Sequence, residues 1–270
     1  MELAAINTPE VAVDIGVGGW GILIAGAGIA GWIDAMIGGG GLVLIPLIMA
    51  VAPGLAPVVA IATNKFVAVS GTASAAVTMT RKVGVDSSLV LRLVPIASLC
   101  SAGGALLAAW ISKDVMRPVV IGLMLLAGIF VAFKPEFGQG GHAKSASARR
   151  RALAVLATGG IALYDGIFGP GTGMFLIMAF TALLSQDFLR SAALTKVVNT
   201  ATNLGALVVF IAAGHVLWSL GIVLAVANIA GAQLGAKTVL AGGTKILRLA
   251  LLTLVIVMSI YLTVQQVYDA

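Results

Sequence analysis

Residues 34–41 read Asp34-Ala35-Met36-Ile37-Gly38-Gly39-Gly40-Gly41, and an altered copy follows at 165–173, Asp165-Gly166-Ile167-Phe168-Gly169-Pro170-Gly171-Thr172-Gly173. Both copies lie inside long apolar stretches. A carboxylate and a run of helix-breaking glycines are costly at membrane depth. Unwound backbone is tolerated there only where protein or a water-filled cavity covers it. A break made twice predicts two halves meeting at a small polar site, the architecture of a secondary transporter.

The surrounding composition sets the class. Of 270 residues, 60% are hydrophobic and 10% charged, and the mean hydropathy is +1.11. Such a chain is expected to be an all-α, polytopic membrane protein. Its formal net charge of +6 could suggest nucleic acid, but the basic residues are bunched in short loops between apolar segments. The positive-inside bias explains them, and no nucleic-acid partner is expected. Cys100 is the single cysteine, so no intramolecular disulfide and no cysteine-rich metal site is expected. The start of the chain carries Glu2, Glu10 and Asp14 and lacks the basic stretch of a secretory leader, so residues 12–36 read as mature protein.

Apolar segments run over 12–37, 42–52, 56–80, 87–111, 114–133, 152–168, 173–185, 188–213, 216–240 and 246–267. Most suffice to cross a hydrocarbon core of about 30 Å. Segments 42–52 and 173–185 are too short and read as half-helices or re-entrant pieces. The halves, 1–133 and 152–270, are joined by a basic linker, 134–151, that contains Arg149-Arg150-Arg151. One half slides over the other at a constant offset of 131 residues, which aligns Lys65 with Lys196, Arg117 with Arg248, Asp34 with Asp165, and Gly104 with Gly235. Charges are rare here, so their matches argue for a genuine internal repeat.

Loop charge then gives orientation. Arg81–Lys82 and the linker read as cytoplasmic, whereas the counterpart of Arg81–Lys82 is Ala212–Ala213, followed by Gly214 and His215, and reads as external. Lys237, Lys245 and Arg248 cluster on the cytoplasmic side. The same element facing opposite sides in the two halves is the mark of an inverted-topology repeat. Either all three first segments cross, or 12–37 and 42–52 form a hairpin with the glycine run near its tip. The hairpin is preferred.

Lys65 and Lys196 carry the main functional signal. Each lies about nine residues into its segment, near the membrane midplane, where snorkelling is difficult. Their neighbours Asn64 and Thr195, with Asn199 and Asn203 at helical spacing, supply further donors. Two readings stand for the lysines: contact with an anionic substrate, or neutralisation of Asp34 and Asp165. The breaks at Gly39, Gly40 and Gly41 and at Gly171, Thr172 and Gly173 free backbone N–H groups at half-helix ends, which attract anions. Close helix packing is the competing reading. Asp34 and Asp165 would either carry protons or orient the breaks. Arg117 and Arg248 are assigned structural roles, and His142 and His215 lack metal partners at useful spacing. Gly242-Gly243-Thr244-Lys245 lacks the spacing of a phosphate loop. With both histidines in loops and no nucleophile–base pairing in view, neither an enzyme nor a cofactor is expected.

The chain resembles the TauE/SafE family of sulfite and organosulfonate exporters, also described as probable membrane transporter proteins. The resemblance rests on Gly31-Trp32-Ile33-Asp34 through Gly41 with Pro46, on Thr63-Asn64-Lys65, on Arg81 with Gly84-Val85-Asp86, and on the second glycine motif through Lys196. It implies export of a small sulfur oxyanion, such as sulfite or sulfoacetate, across the inner membrane of a bacterium. Alternating access is the expected mechanism. A passive anion channel and a carrier of a different organic anion are the alternatives. Membrane lipids are the expected surroundings, and the glycine-rich helix faces suit a homodimer.

Overall fold

A computed structural model describes residues 15–108, 110–111, 119, 122 and 147–242. Segment 246–267, all of 114–133 but residues 119 and 122, the N-terminal acidic residues, residues 134–146 of the linker, His142, Arg117, Lys245 and Arg248 lie outside the described residues. Eight helices are described: α1 (Val17–Ile37), α2 (Gly40–Val51), α3 (Pro57–Lys82), α4 (Ser87–Ala108), α5 (Ala148–Ile167), α6 (Thr172–Leu184), α7 (Phe188–Ala212) and α8 (Trp218–Leu240). Five of them, α1, α3, α4, α7 and α8, are long and apolar enough to cross a membrane.

Local chemistry sets their ends. α1 stops where Gly38 takes the left-handed conformation at φ 80° and returns its N–H to the Asp34 carbonyl, a position that suits glycine because no Cβ is there to clash. α3 opens on Pro57, whose missing N–H costs nothing in the first turn. α7 is capped by the Asp187 carboxylate, which accepts the Arg190 N–H at 2.8 Å. α5 starts earlier than the expected residue 152. Ser147 caps it, so Arg149, Arg150 and Arg151 stand on its first turn.

Each short helix folds back along the helix before it. A Cβ on Gly40 would press on Asp34, one on Gly26 would meet Leu47, and one on Gly19 would meet Val51. Contacts that pair ascending with descending numbers define an antiparallel hairpin, with Gly38–Gly39 at its tip. The second hairpin repeats the form: Thr172 bonds Asp165, Phe175 meets the Tyr164 ring edge-on at 5.8 Å, and the Arg150 guanidinium donates to the Ala182 carbonyl. Both helix pairs are thus antiparallel hairpins with a glycine break at the tip, an arrangement common to a re-entrant pair and to two successive crossings.

The halves exchange helices. α1 packs on α8 and α3 on α8, while the repeat-related pairs are α5 on α4 and α7 on α4. Glycines make these crossings close. Gly104 leaves no room for a side chain against the Leu163 carbonyl, and Gly235 leaves none against that of Trp32. These are the same contact, displaced by 131 residues in both partners. Gly231 packs similarly on Gly28, whereas Gly103 is only loosely approached, its nearest neighbour being Leu163 Cδ1 at 4.0 Å. Backbone approach of this kind supports helix association where lipid removes the hydrophobic driving force. Leu91, Leu99, Leu156, Val208, Ile222 and Leu234 are exposed on the outer surface, as expected of helices solvated by hydrocarbon.

Candidate functional site

Lys65 and Lys196 are each the ninth residue of their helix, about 12 Å from its start. Both are fully buried. An ammonium in such surroundings needs a counter-charge and hydrogen bonds, and the exchange of helices supplies them from the opposite half. The Lys65 Nζ stands 2.6 Å from Asp165 Oδ2 and donates to Asn203 Oδ1 at 3.2 Å. Lys196 donates to the main-chain carbonyl of Asp34, with Asp34 Oδ2 at 3.5 Å. Each lysine thus neutralises a carboxylate of the other repeat, and both pairs lie at a helix break.

The aspartates also organise the breaks. Asp34 Oδ1 accepts the backbone N–H of Gly40 at 3.1 Å. Asp165 uses side chains instead, accepting from the Thr172 hydroxyl at 2.6 Å and from Ser101 Oγ at 3.4 Å. Gly169 and Gly171 hold φ of 90° and 80°, which shapes the second turn. The two hairpin tips touch: neither Gly38 nor Gly173 has space for a Cβ against the other's backbone. Gly41 faces the Gly169 carbonyl, 3.8 Å from the point a Cβ would occupy.

The expected donors fare differently. The Gly40 N–H is committed to Asp34 and the Thr172 hydroxyl to Asp165 and the Gly169 carbonyl, and Gly173 serves the close contact with Gly38. In this conformation those three hold the break rather than present free donors. Gly39 and Gly171 are the N-caps of α2 and α6. The Asn199 carboxamide oxygen accepts from Thr202 at 3.2 Å. Asn64 is buried, with its amide nitrogen 3.5 Å from the Cβ position of Gly41. Thr195 Oγ1 is buried and has no hydrogen-bond partner among the described residues. A buried hydroxyl without a partner is uncommon.

Sequence reasoning missed Ser101, which reaches Asp165 from α4, because its repeat-related position is Ala232. It also missed Asn228, whose amide donates to the Ala27 carbonyl at 3.0 Å and closes α8 onto α1. Among the scattered polar residues of these two helices, neither position stood out by spacing.

Comparison with known proteins agrees with this architecture. The profile of the family described as "Sulfite exporter TauE/SafE" matches residues 23–262. "Probable membrane transporter protein YfcA" of Escherichia coli (strain K12) is 33% identical over 252 residues, covering 93% of this chain and 90% of the relative. A "Probable membrane transporter protein" of Haemophilus influenzae is 34% identical over 257 residues, covering 95% and 98%. "Probable membrane transporter protein ORF9" of Sinorhizobium sp is 32% identical over 250 residues, covering 92% of each. No solved structure gives a significant match. With two broken hairpins meeting at exchanged lysine–aspartate pairs, and with a family match spanning nearly its whole length, the chain belongs to the TauE/SafE family of membrane transporters.

Proposed function

We propose that this protein is a secondary transporter that exports a small sulfur-containing oxyanion, sulfite or an organosulfonate such as sulfoacetate, across the bacterial inner membrane by alternating access. The observation that carries the reading is the exchange of ion pairs: Lys65 with Asp165 and Lys196 with Asp34, each spanning the two repeats. Relative movement of the halves has to loosen those pairs. An oxyanion entering between them takes the place of a carboxylate against an ammonium, and the displaced carboxylate must then be hydrated or protonated. Asn64, Thr195 and amides freed at the breaks replace lost water around the oxygens, with Asn199 and Asn203 completing the lining as the tips separate. The family description supports a sulfur oxyanion, and two repeats of opposite orientation would suit this cycle.

The test is flux. The full chain, reconstituted alone into liposomes, is assayed for saturable movement of sulfite, sulfoacetate, taurine, thiosulfate and sulfate. One of these is carried, and Lys196→Ala and Asn64→Ala each lower its flux by about tenfold or more while helicity is retained, the scale of one lost charge-assisted hydrogen bond. Absence of transport for all five anions overturns the reading. Flux that fails to saturate assigns the protein to channels instead.

A further inference from the structure

The two lysine–aspartate pairs are related by the repeat but are not equivalent. At one, Asp165 is 2% exposed and held by three side chains, Lys65 at 2.6 Å, Thr172 at 2.6 Å and Ser101 at 3.4 Å, while Asn203 steadies the lysine. At the other, Asp34 is 14% exposed, its Oδ2 is 3.5 Å from the ammonium, and its remaining bond is the Gly40 N–H. Lys196 turns chiefly to the Asp34 main-chain carbonyl, near the C-terminal end of α1. There it satisfies a carbonyl that also accepts the capping N–H of Gly38. The lysine thus keeps an anchor that does not depend on the charge of the Asp34 side chain.

We infer that the Lys196–Asp34 pair is the working pair, where Asp34 exchanges a proton as the anion binds, and that Lys65–Asp165 is a static brace. The inference rests on the transporter reading above and deepens it. In the step, a proton from bulk solution, relayed through water, adds to a carboxylate oxygen of Asp34, which becomes a neutral carboxylic acid. The Lys196 ammonium then accepts one negative charge from the substrate. One proton and one monovalent anion enter together, and the net charge of the site is unchanged.

The surroundings leave Asp34 with little else to answer to. The charged groups that reach it are Lys196 from α7 and, at longer range, Lys65 from α3. α2 and α6 carry no charged side chain, and α8 carries only Lys237, in its last turn. On α7, Arg190 is exposed beside Asp187 at 3.6 Å. On α3, Arg81 and Lys82 stand in the last turn, far from the break. Asp165 differs in kind: it is enclosed by the groups that bond it, and no comparable exposure reaches it.

The test uses the purified full chain in lipid nanodiscs. Infrared difference spectra over a pH titration report the protonated carboxyl band, and methanesulfonate, which stays ionised throughout, is the binding probe. The wild type shows a titrating carboxyl band that vanishes in Asp34→Asn and is retained, shifted, in Asp34→Glu. Its affinity for methanesulfonate rises about tenfold per pH unit of acidification through that titration, the slope for one linked proton, and becomes flat in Asp34→Asn. Ser101→Ala loosens Asp165 without removing its charge, and it leaves the slope in place. A band that survives Asp34→Asn, or a wild-type pH slope in that variant, overturns the inference. So does a slope abolished by Ser101→Ala. Lack of methanesulfonate binding by the wild type refutes the sulfonate reading, while the carboxyl band still decides which aspartate titrates.

Discussion

Lys65 holds the carboxylate of Asp165 at 2.6 Å, one partner in each repeat, both excluded from solvent. A pair so buried is weak as a source of net stability but severe to break. Removing one partner strands a buried charge without its counter-ion. Lys65→Ala is therefore expected to destabilise the fold by about 3–5 kcal/mol. The double variant Lys65→Met with Asp165→Leu, which removes both charges, recovers most of that loss. Thermal unfolding of the purified protein in detergent measures both. A double variant as unstable as the single one would show that the pair matters for something other than charge neutrality.

The tip contact gives a second expectation. Gly38 stands at φ 80° with Gly173 against it, so Gly38→Ala suffers both a left-handed penalty of about 1–2 kcal/mol and a backbone clash. It should lower the melting temperature well beyond Gly54→Ala, where no atom lies within 4 Å of the added methyl. Equal melting temperatures for the two variants would refute the touching tips.

His215 supplies a pH dependence outside the membrane-spanning helices. It lies between α7 and α8, and partial burial holds its imidazole below the usual histidine value of 6.5. The folded state therefore favours the neutral ring, and between the two values the unfolded chain binds more protons. This contribution is present above 6.5 and is lost as pH falls through the folded value. His215→Gln should flatten the decline of melting temperature just below pH 6.5. An identical decline in the variant assigns the acid sensitivity elsewhere.

Orientation is testable by labelling. In a Cys100→Ser background, Lys82→Cys and Ala213→Cys probe corresponding ends of α3 and α7. Ala213 is a better probe than Gly214, which holds φ 70°. Impermeant thiol reagents should label the two from opposite sides of the membrane. Labelling of both from one side would leave the repeats related by an axis along the membrane normal.

Much of this was legible in the chain itself. The charge matches at a spacing of 131 residues, Asp34 with Asp165 and Lys65 with Lys196, predicted a duplicated core because ionisable residues are too costly in hydrocarbon to recur by accident. The glycine runs predicted where helices break. Ser101 escaped because nothing in an apolar helix distinguishes a serine that bonds an aspartate from one that bonds its own backbone, as Ser70 does at 3.2 Å. The roles of Gly40, Thr172 and Gly173 were equally hidden, since the donors of a break can serve a ligand or a neighbouring carboxylate.

Sequence alone determined the membrane class, the matched charges of the two halves and the place of each lysine along its helix, because these follow from composition and from residue spacing along single helices. Which lysine meets which aspartate was decided only by tertiary structure. The two halves trade helices, α1 against α8 and α5 against α4, so each ammonium finds its counter-charge across the chain rather than along it. The unequal grip on the two aspartates comes from the same cause. Ser101 and Thr172 converge on Asp165 only once three helices have packed, and no position related by the repeat carries a hydroxyl to do the same for Asp34.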